Sequence, residues 1–276
     1  MSMGSCFKFR QILVALILGA ACVATAGAQS FSAQHAKVSL VAEDSAVTAG
    51  RTLWLGVVFD LEKGWHTYWV NPGDSGEPPK IQWQLPPGFR AGAIRWPVPS
   101  RLGSGTIIDY GYEGSLLLAV PVQVPADYTA GKPISLSAQI RYLACSDVCI
   151  PATAHPTLTI PSATSGGAAA KGEFADARSH WPKAMPANWK ARTTDAGDHF
   201  VLSIETGMRE AQASFFPLQD AIDNSAPQTV TPTEHGAEIT LKKSDQATKS
   251  PPAVKGVIVL APNRAFEISA PVSPAH

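Results

Sequence analysis

Residues 134–142 have the sequence Ile-Ser-Leu-Ser-Ala-Gln-Ile-Arg-Tyr, in which apolar and polar side chains alternate. Successive side chains of a β-strand point to opposite faces of the sheet, so a period of two predicts a half-buried strand. One face carries Ile134, Leu136, Ala138, Ile140 and Tyr142. This stretch predicts that the surrounding domain is built from β-sheet.

The same pattern recurs along the chain, and Pro and Gly, 23 and 22 residues, separate the runs. Residues 52–59 place Leu53, Leu55, Val57 and Phe59 on one face. Further strands are predicted at residues 36–42, 65–70, 81–85, 115–122 and 156–160. Helical periodicity is hard to find. The fold class predicted is all-β, an antiparallel sandwich of immunoglobulin type followed by a second, smaller β-domain.

Composition divides the chain. Residues 33–161 form the first predicted domain, and residues 162–180 are predicted to be a flexible linker because residues 162–171 contain no large hydrophobe. Alternation resumes in a second β-domain, residues 181–270, which has no cysteine and to which we assign no chemistry, only spacing or docking. Residues 271–276 are predicted to be a frayed tail.

The N-terminus has the three parts of a secretory signal peptide. Lys8 and Arg10 precede an apolar run, which ends in small residues before Gln29. Cleavage is therefore expected after residue 28, and the protein is expected in the periplasm. A membrane anchor and a lipoprotein modified at Cys22 are the alternatives.

The formal net charge is +0, with 22 basic and 22 acidic residues. A nucleic-acid-binding protein would carry a basic stripe, so nucleic acid is not expected as a partner.

Removal of the signal peptide would leave two cysteines, Cys145 and Cys149, separated by three residues. Two neighbouring thiols in an oxidising compartment pair or react. If the alternation of residues 134–142 continues, Ala144 faces the core and Cys145 faces solvent. Exposure at a strand end is what a redox-active thiol needs, because attack on a disulfide requires access to the sulfur.

Two other roles for the cysteine pair stay open. A structural disulfide is one, although a five-residue ring stabilises a fold by only about 2 kcal/mol in the loop-entropy model. Copper handling is the other, with His155 or His66 as a further ligand. Residues 73–76, Gly-Asp-Ser-Gly, resemble the surroundings of a protease serine, but no partner motif precedes them, and residues 71–74 indicate a turn.

Five segments, taken in order, resemble the N-terminal periplasmic domain of the DsbD family of disulfide reductases, especially its ScsB-like branch. The resemblance covers about residues 34–161. The segments are Gly-Trp-His-Thr-Tyr-Trp at 64–69, Asn-Pro-Gly-Asp-Ser-Gly at 71–76, Trp-Pro-Val-Pro at 96–99, Asp-Tyr-Gly-Tyr-Glu-Gly at 109–114 and Tyr-Leu-Ala-Cys-Ser-Asp-Val-Cys-Ile-Pro at 142–151.

The resemblance implies an immunoglobulin-like fold whose cysteine pair relays electrons without a bound cofactor or metal. It implies that Cys149 is the nucleophile and Cys145 the resolving thiol. Residues 109–113 resemble a cap loop over the disulfide, with Asp109 near the position of the family's cap ring and with Tyr110 or Tyr112 supplying a ring. The wall of the site is expected to be Trp65, His66 and Tyr68.

The chain departs from the family in its three-residue spacer, and we expect it to lack the membrane and thioredoxin-like domains. The resemblance therefore implies a separate membrane electron-transfer protein as reductant and thioredoxin-fold periplasmic proteins as partners. The function expected is that of a protein-disulfide reductase component. A non-enzymatic binding module with a structural disulfide remains the alternative, beside copper handling.

Overall fold

The structure is a computed structural model that describes residues 27–275, except residues 104, 130, 162–168 and 248. The predicted signal peptide up to residue 26, with Cys6 and Cys22, lies outside the described residues, as does part of the predicted linker. In the described ranges, no helix is long and apolar enough to cross a membrane.

The described residues of the first part of the chain form thirteen strands. They are β1 (Gly27–Gln29), β2 (Phe31–Ala33), β3 (Ala36–Ala42), β4 (Thr52–Leu61), β5 (His66–Gly73), β6 (Lys80–Gln84), β7 (Arg90–Ala91), β8 (Ser100–Leu102), β9 (Asp109–Glu113), β10 (Ser115–Gln123), β11 (Ile134–Cys145), β12 (Cys149–Ala154) and β13 (Thr157–Ile160).

These strands form two antiparallel sheets that enclose one core. The first sheet has the order β1-β13-β11-β5-β9-β8, with β12 and β6 also paired to β11, and the second has the order β2-β3-β4-β10-β7. The core is built from the alternating apolar side chains, such as Leu55 and Val57 of β4 and Leu136 and Ile140 of β11, each fully buried. The prediction of an all-β, immunoglobulin-like sandwich is confirmed.

A helix, α1 (Lys171–Ser179), occupies most of the described part of the predicted linker. Phe174 is fully buried, and Arg178 forms a two-pronged ion pair with Glu43, at 2.6 and 2.7 Å. The guanidinium of Arg178 also lies 5.3 Å from the centre of the Trp54 ring. The structure therefore differs from the expectation of a flexible linker here, because one apolar anchor and one ion pair dock a helix too short to show a periodic pattern.

In the last part of the chain, the residues that the structure describes form eight strands. They are β14 (Lys183–Ala184), β15 (Lys190–Asp195), β16 (His199–Glu205), β17 (Ser214–Pro217), β18 (Thr229–Thr233), β19 (Gly236–Lys242), β20 (Ala253–Ala261) and β21 (Arg264–Pro274).

These strands form one sheet in the order β17-β20-β21-β15-β16-β19-β18, with β14 beside β21. The sheet encloses its own core, which includes Phe200, Leu202, Ile239 and Ile258. The end of the chain differs from the expected frayed tail, because residues 272–274 of β21 pair in parallel with residues 193–195 of β15.

Candidate thiol–disulfide site

Cys145 and Cys149 form a disulfide at the tip of the β11–β12 hairpin. They are direct register partners, with an S–S distance of 2.11 Å and a Cα–Cα distance of 4.1 Å. The Ser146 amide donates to the Val148 carbonyl at 3.0 Å and closes the turn. Val148 is 60 % exposed, so the tip of the hairpin presents an apolar side chain next to the disulfide.

The two cysteines differ sharply in exposure. Cys145 is 1 % exposed, whereas Cys149 is an exposed residue. The prediction that Cys145 faces solvent is wrong. Both Ala144 and Cys145 are buried, because β5 runs beside this end of β11, where His66 pairs with Cys145, and because Tyr68 of β5 lies on the sulfur. A thiolate arriving from outside therefore meets Cys149 first.

The hydroxyl of Tyr68 bridges the two sulfur atoms. It donates a hydrogen bond to Cys145 Sγ at 2.9 Å and lies 3.3 Å from Cys149 Sγ. Burial raises the pKa of Tyr68 above 10.0, and the charge of Asp109 raises it too, while the hydrogen bond with Ser75 lowers it. The hydroxyl thus keeps its proton at neutral pH and is a hydrogen-bond donor beside the disulfide.

Ser75 and Asp109 extend this network. The Ser75 hydroxyl lies 3.4 Å from the Tyr68 hydroxyl and donates to both carboxylate oxygens of Asp109 at 2.9 Å. The Ser75 amide also donates to Asp109 at 3.0 Å. The Tyr68 hydroxyl is thus the donor to the sulfur atoms, and Ser75 connects it to the Asp109 carboxylate.

The turn at residues 73–76 covers Tyr68. Gly76 has a φ of +73°, and a Cβ placed there would lie 2.1 Å from Tyr68 Cζ, so only glycine fits against the ring. The sequence predicted a turn at residues 71–74, and with the protease resemblance of residues 73–76 rejected, no role was assigned to Ser75. The available signal was that the turn belongs to one of the five segments of the resemblance.

His66 lies on the other side of Tyr68. The two rings meet edge to face with centroids 5.3 Å apart, and His66 Nε2 is 3.8 Å from Asp109 Oδ2. Burial lowers the pKa of His66 below 6.5, against the opposing charges of Asp109 and Glu113. The buried Nε2 atom has no hydrogen-bond partner among the described residues. The imidazole is therefore held mainly in its neutral form.

The remaining predicted site residues, Trp65, Tyr110 and Tyr112, contact residues other than the two cysteines. The ring of Trp65 stacks on His35 at 3.7 Å. Tyr110 is 1 % exposed and packs edge to face on Phe216 at 5.3 Å, while Tyr112 donates to the Pro97 carbonyl at 2.8 Å. Burial raises the pKa of Tyr110 to about 12. The aromatic hydroxyl on the sulfurs belongs to Tyr68, which the sequence placed in the wall. Residues 109–113, expected as a cap loop, form strand β9, and Tyr110 and Tyr112 lie on the face of that strand opposite Asp109, so neither ring lies over the disulfide.

The residues named in the copper hypothesis are spread around the site. The two sulfurs are joined to each other, His66 lies near Asp109, and His155 is exposed. In the part of the chain that the structure describes, no group of three or more His, Cys, Asp or Glu is placed to hold a metal ion.

Comparisons with known proteins agree with the fold. Residues 37–161, a little under half of the chain, match the family model described as "Thiol:disulfide interchange protein DsbD, N-terminal". A crystal structure of the N-terminal periplasmic domain of ScsB from Proteus mirabilis aligns with 89 % of this chain and 98 % of its own, at 17 % identity and a TM-score of 0.66, so the two share a fold. The YadV chaperone aligns over 84 % of this chain and 98 % of its own at 10 % identity, but its TM-score of 0.21 is too low to support an argument. No curated protein matches the chain.

Proposed function

Since residues 37–161 are a domain of the DsbD N-terminal family, we propose that this chain relays reducing equivalents by thiol–disulfide exchange through Cys145 and Cys149. The observation that carries the proposal is the asymmetric disulfide: Cys149 is exposed, whereas Cys145 is buried beneath a hydroxyl donor. A purely structural disulfide needs neither feature.

The first step begins when a thiolate of a reduced partner attacks Cys149 Sγ. A bond forms between the partner sulfur and Cys149, the bond between Cys149 and Cys145 breaks, and Cys145 leaves as a thiolate. The Tyr68 hydroxyl, already 2.9 Å from that sulfur, donates a hydrogen bond to the developing negative charge. The buried cysteine is thus the leaving group, and its stabilisation lowers the barrier.

In the second step the other thiolate of the partner attacks the partner sulfur in the mixed disulfide. The partner gains a disulfide, Cys149 leaves as a thiolate, and two electrons have moved to this chain, with two protons taken up by the thiolates. Each step is reversible. In the reverse direction the Cys149 thiolate attacks an oxidised partner, and Cys145 resolves the mixed disulfide.

We propose thioredoxin-fold proteins as partners and a separate membrane electron-transfer protein as the source of electrons. Both kinds of protein would react through a pair of neighbouring thiols, which can attack a disulfide only at a sulfur atom that solvent can reach. Cys149, at the tip of the hairpin, is exposed. The periplasm is the proposed location. The predicted signal peptide supports it, as does the description of the ScsB domain as periplasmic.

The test is a trapping experiment with single-cysteine variants. Cys145→Ala, reduced, is mixed with a thioredoxin-fold protein that keeps only its nucleophilic cysteine, activated as the mixed disulfide with thionitrobenzoate. Cys149 is expected to attack, release the thionitrobenzoate anion and form a covalent complex at least about tenfold faster than Cys149→Ala, whose remaining thiol is buried. Equal rates for the two variants, or no complex in either, would contradict the proposal.

The reduction potential of the wild-type pair separates a relay from a structural disulfide. A value above about −300 mV is expected, because structural disulfides lie below that range. Equilibration with glutathione or dithiothreitol, followed by alkylation of free thiols, measures it.

A further inference from the structure

Strands β5 and β9 of the first domain contact the disulfide site with one face and the second domain with the other face. Side chains alternate across a strand, so Tyr68 and Asp109 point towards the site, while their neighbours Trp69 and Tyr110 point away from it. Trp69 is 2 % exposed and Tyr110 is 1 % exposed. The residues that bury Trp69 and Tyr110 therefore also help to fix the backbone positions of their neighbours Tyr68 and Asp109.

Phe216 of β17, in the second domain, packs on that face. Its ring meets Trp69 edge to face at 6.4 Å and Tyr110 edge to face at 5.3 Å. Trp69 and Tyr110 also meet each other at 6.4 Å, so the three rings form one cluster across the two domains. The second domain is therefore packed against the backs of β5 and β9 at the residues adjacent to the site.

The second domain also bonds to residues 71–76, the segment whose end covers Tyr68. Asn71, 5 % exposed, donates from Nδ2 to the Pro217 carbonyl at 2.8 Å. Asn224 donates from Nδ2 to Asp74 Oδ1 at 3.0 Å, and the other Asp74 oxygen accepts from the Ile108 amide at 2.8 Å. The segment is thus attached to the second domain at its start and at its middle, immediately before Ser75.

Asn224 is held in place by its own loop. The Asp223 carboxylate accepts from the Ser225 amide and hydroxyl at 3.0 and 2.6 Å, from the Ala226 amide at 3.2 Å and from Lys242 at 2.9 Å. These hydrogen bonds lower the pKa of Asp223 to about 2. The loop therefore keeps its shape across the physiological pH range, and the Asn224 amide is presented to Asp74 as a fixed donor.

We propose that Phe216 and Asn224 are positioning residues for the disulfide, and that the second domain sets how accessible and how reactive the Cys145–Cys149 bond is. The proposal deepens the proposed function and rests on it. The aromatic cluster fixes the backs of β5 and β9, and the hydrogen bonds of Asn71 and Asp74 hold Ser75 and Gly76 over Tyr68. Neither residue touches the sulfur atoms, so both act through Tyr68 and the turn.

The test measures the rate at which dithiothreitol reduces the disulfide in the folded, full-length chain. Asn224→Ala removes the bond to Asp74 and is expected to speed reduction about fivefold, the factor that corresponds to one net hydrogen bond. Asn224→Asp places a carboxylate against Asp74 and is expected to speed reduction further. Gln246→Ala, an exposed polar side chain of the second domain, is the control and should leave the rate unchanged.

A double-mutant cycle guards against a simple loss of stability. Asp74→Asn combined with Asn224→Asp restores a donor and an acceptor across the same gap, while the new amide oxygen can still accept from Ile108. The exchanged pair should bring the rate back to within about twofold of wild type. Urea unfolding of each variant reports global stability separately.

The inference is overturned if Asn224→Ala and Asn224→Asp are reduced at the wild-type rate, or if the exchanged pair reacts as fast as Asn224→Asp alone. Because dithiothreitol needs no protein partner, these outcomes are independent of the trapping experiment. A positive result here with no covalent complex there would remove the relay and leave the positioning role, and the reverse result would remove only the positioning role.

Discussion

At the scale of single residues, the site depends on where Tyr68 places its hydroxyl. A buried phenol that keeps its proton can donate to a sulfur that becomes negative, and the neutral disulfide needs this donation less than the thiolate does. The interaction is therefore stronger while the S–S bond is breaking than before the reaction, which is the condition for accelerating the step.

Tyr68→Phe keeps the ring over the disulfide and removes the donor. We expect reduction by dithiothreitol to slow about tenfold, because a hydrogen bond to a charged group is lost in the transition state. Stopped-flow kinetics measures the rate. Tyr128→Phe, in which the ring contact with Phe89 is retained, is the control and should react at the wild-type rate. An unchanged rate for Tyr68→Phe would show that its hydroxyl does not assist the leaving thiolate.

The shifted pKa of His66 predicts how the stability of the protein depends on pH. Its pKa is lowered in the folded state below the value of 6.5, so the unfolded chain binds more protons in the window between the two values. The free energy of unfolding should therefore fall as the pH drops from 6.5 through the folded pKa, and this loss should be absent above 6.5. Urea unfolding of wild type and His66→Gln from pH 7.5 to 5 tests it, and His66→Gln should show the flatter profile. A steeper fall for the variant would contradict the assignment.

At the scale of elements, the turn at residues 73–76 is shaped by two close contacts. Gly73, with a φ of +92°, lies against the Ile108 carbonyl, where a Cβ would come within 2.4 Å, and Gly76 lies against the Tyr68 ring. The turn therefore sits as a close-fitting cover between β9 and Tyr68, and its fit depends on the absence of side chains.

Gly76→Ala tests this fit against a matched position. Gly114 has a similar φ of +68° but nothing within 4 Å of its added Cβ. Both substitutions should lower the free energy of unfolding by about 1 kcal/mol, because alanine disfavours the left-handed backbone conformation. Only Gly76→Ala must also displace Tyr68. We expect urea unfolding to show a larger loss of stability for Gly76→Ala, and dithiothreitol to reduce its disulfide more slowly, because the displaced Tyr68 hydroxyl no longer donates to Cys145. Equal losses for the two variants, with equal rates, would mean that the turn does not press on the ring.

Most elements of the first domain were predictable from sequence, and the reasons are physical. Residues 36–42 were predicted as a strand and form β3 with the same bounds, because a period of two identifies a strand with one buried face. The exposure of Cys145 was not predictable, since the rule fails where a neighbouring strand and a ring cover both faces. The contact of Ser75 with Asp109 joins residues 34 positions apart, and no local pattern encodes it.

At the scale of the whole molecule, the two domains share buried surface. The hydrophobic core of the first domain also includes Phe216, Val257 and Ala265 of the second. Together with the hydrogen bonds of Asn71 and Asn224, this contact makes the relative position of the domains part of the fold, since the apolar area would otherwise face water.

Thermal unfolding should therefore be one cooperative transition. Differential scanning calorimetry is expected to give a ratio of calorimetric to van't Hoff enthalpy of about 1. Phe216→Ala removes the ring at the centre of the contact and should lower the free energy of unfolding by about 3 kcal/mol. The two domains of this variant should then unfold in distinct transitions. Two transitions in the wild-type protein would contradict the coupling.

The hairpin that holds the disulfide has a consequence for turnover. Cys145 and Cys149 are the last of six register pairs that continue to Ile140 and Ala154, so breaking the S–S bond leaves five pairs of the ladder in place. The reduced and oxidised forms should then have almost the same conformation. A conformational change would therefore not release a bound protein. In the proposed relay, a partner therefore leaves only after the second exchange step. Electron donors and electron acceptors would then bind the same surface around Cys149 in turn, and their relative abundance would set the direction of electron flow.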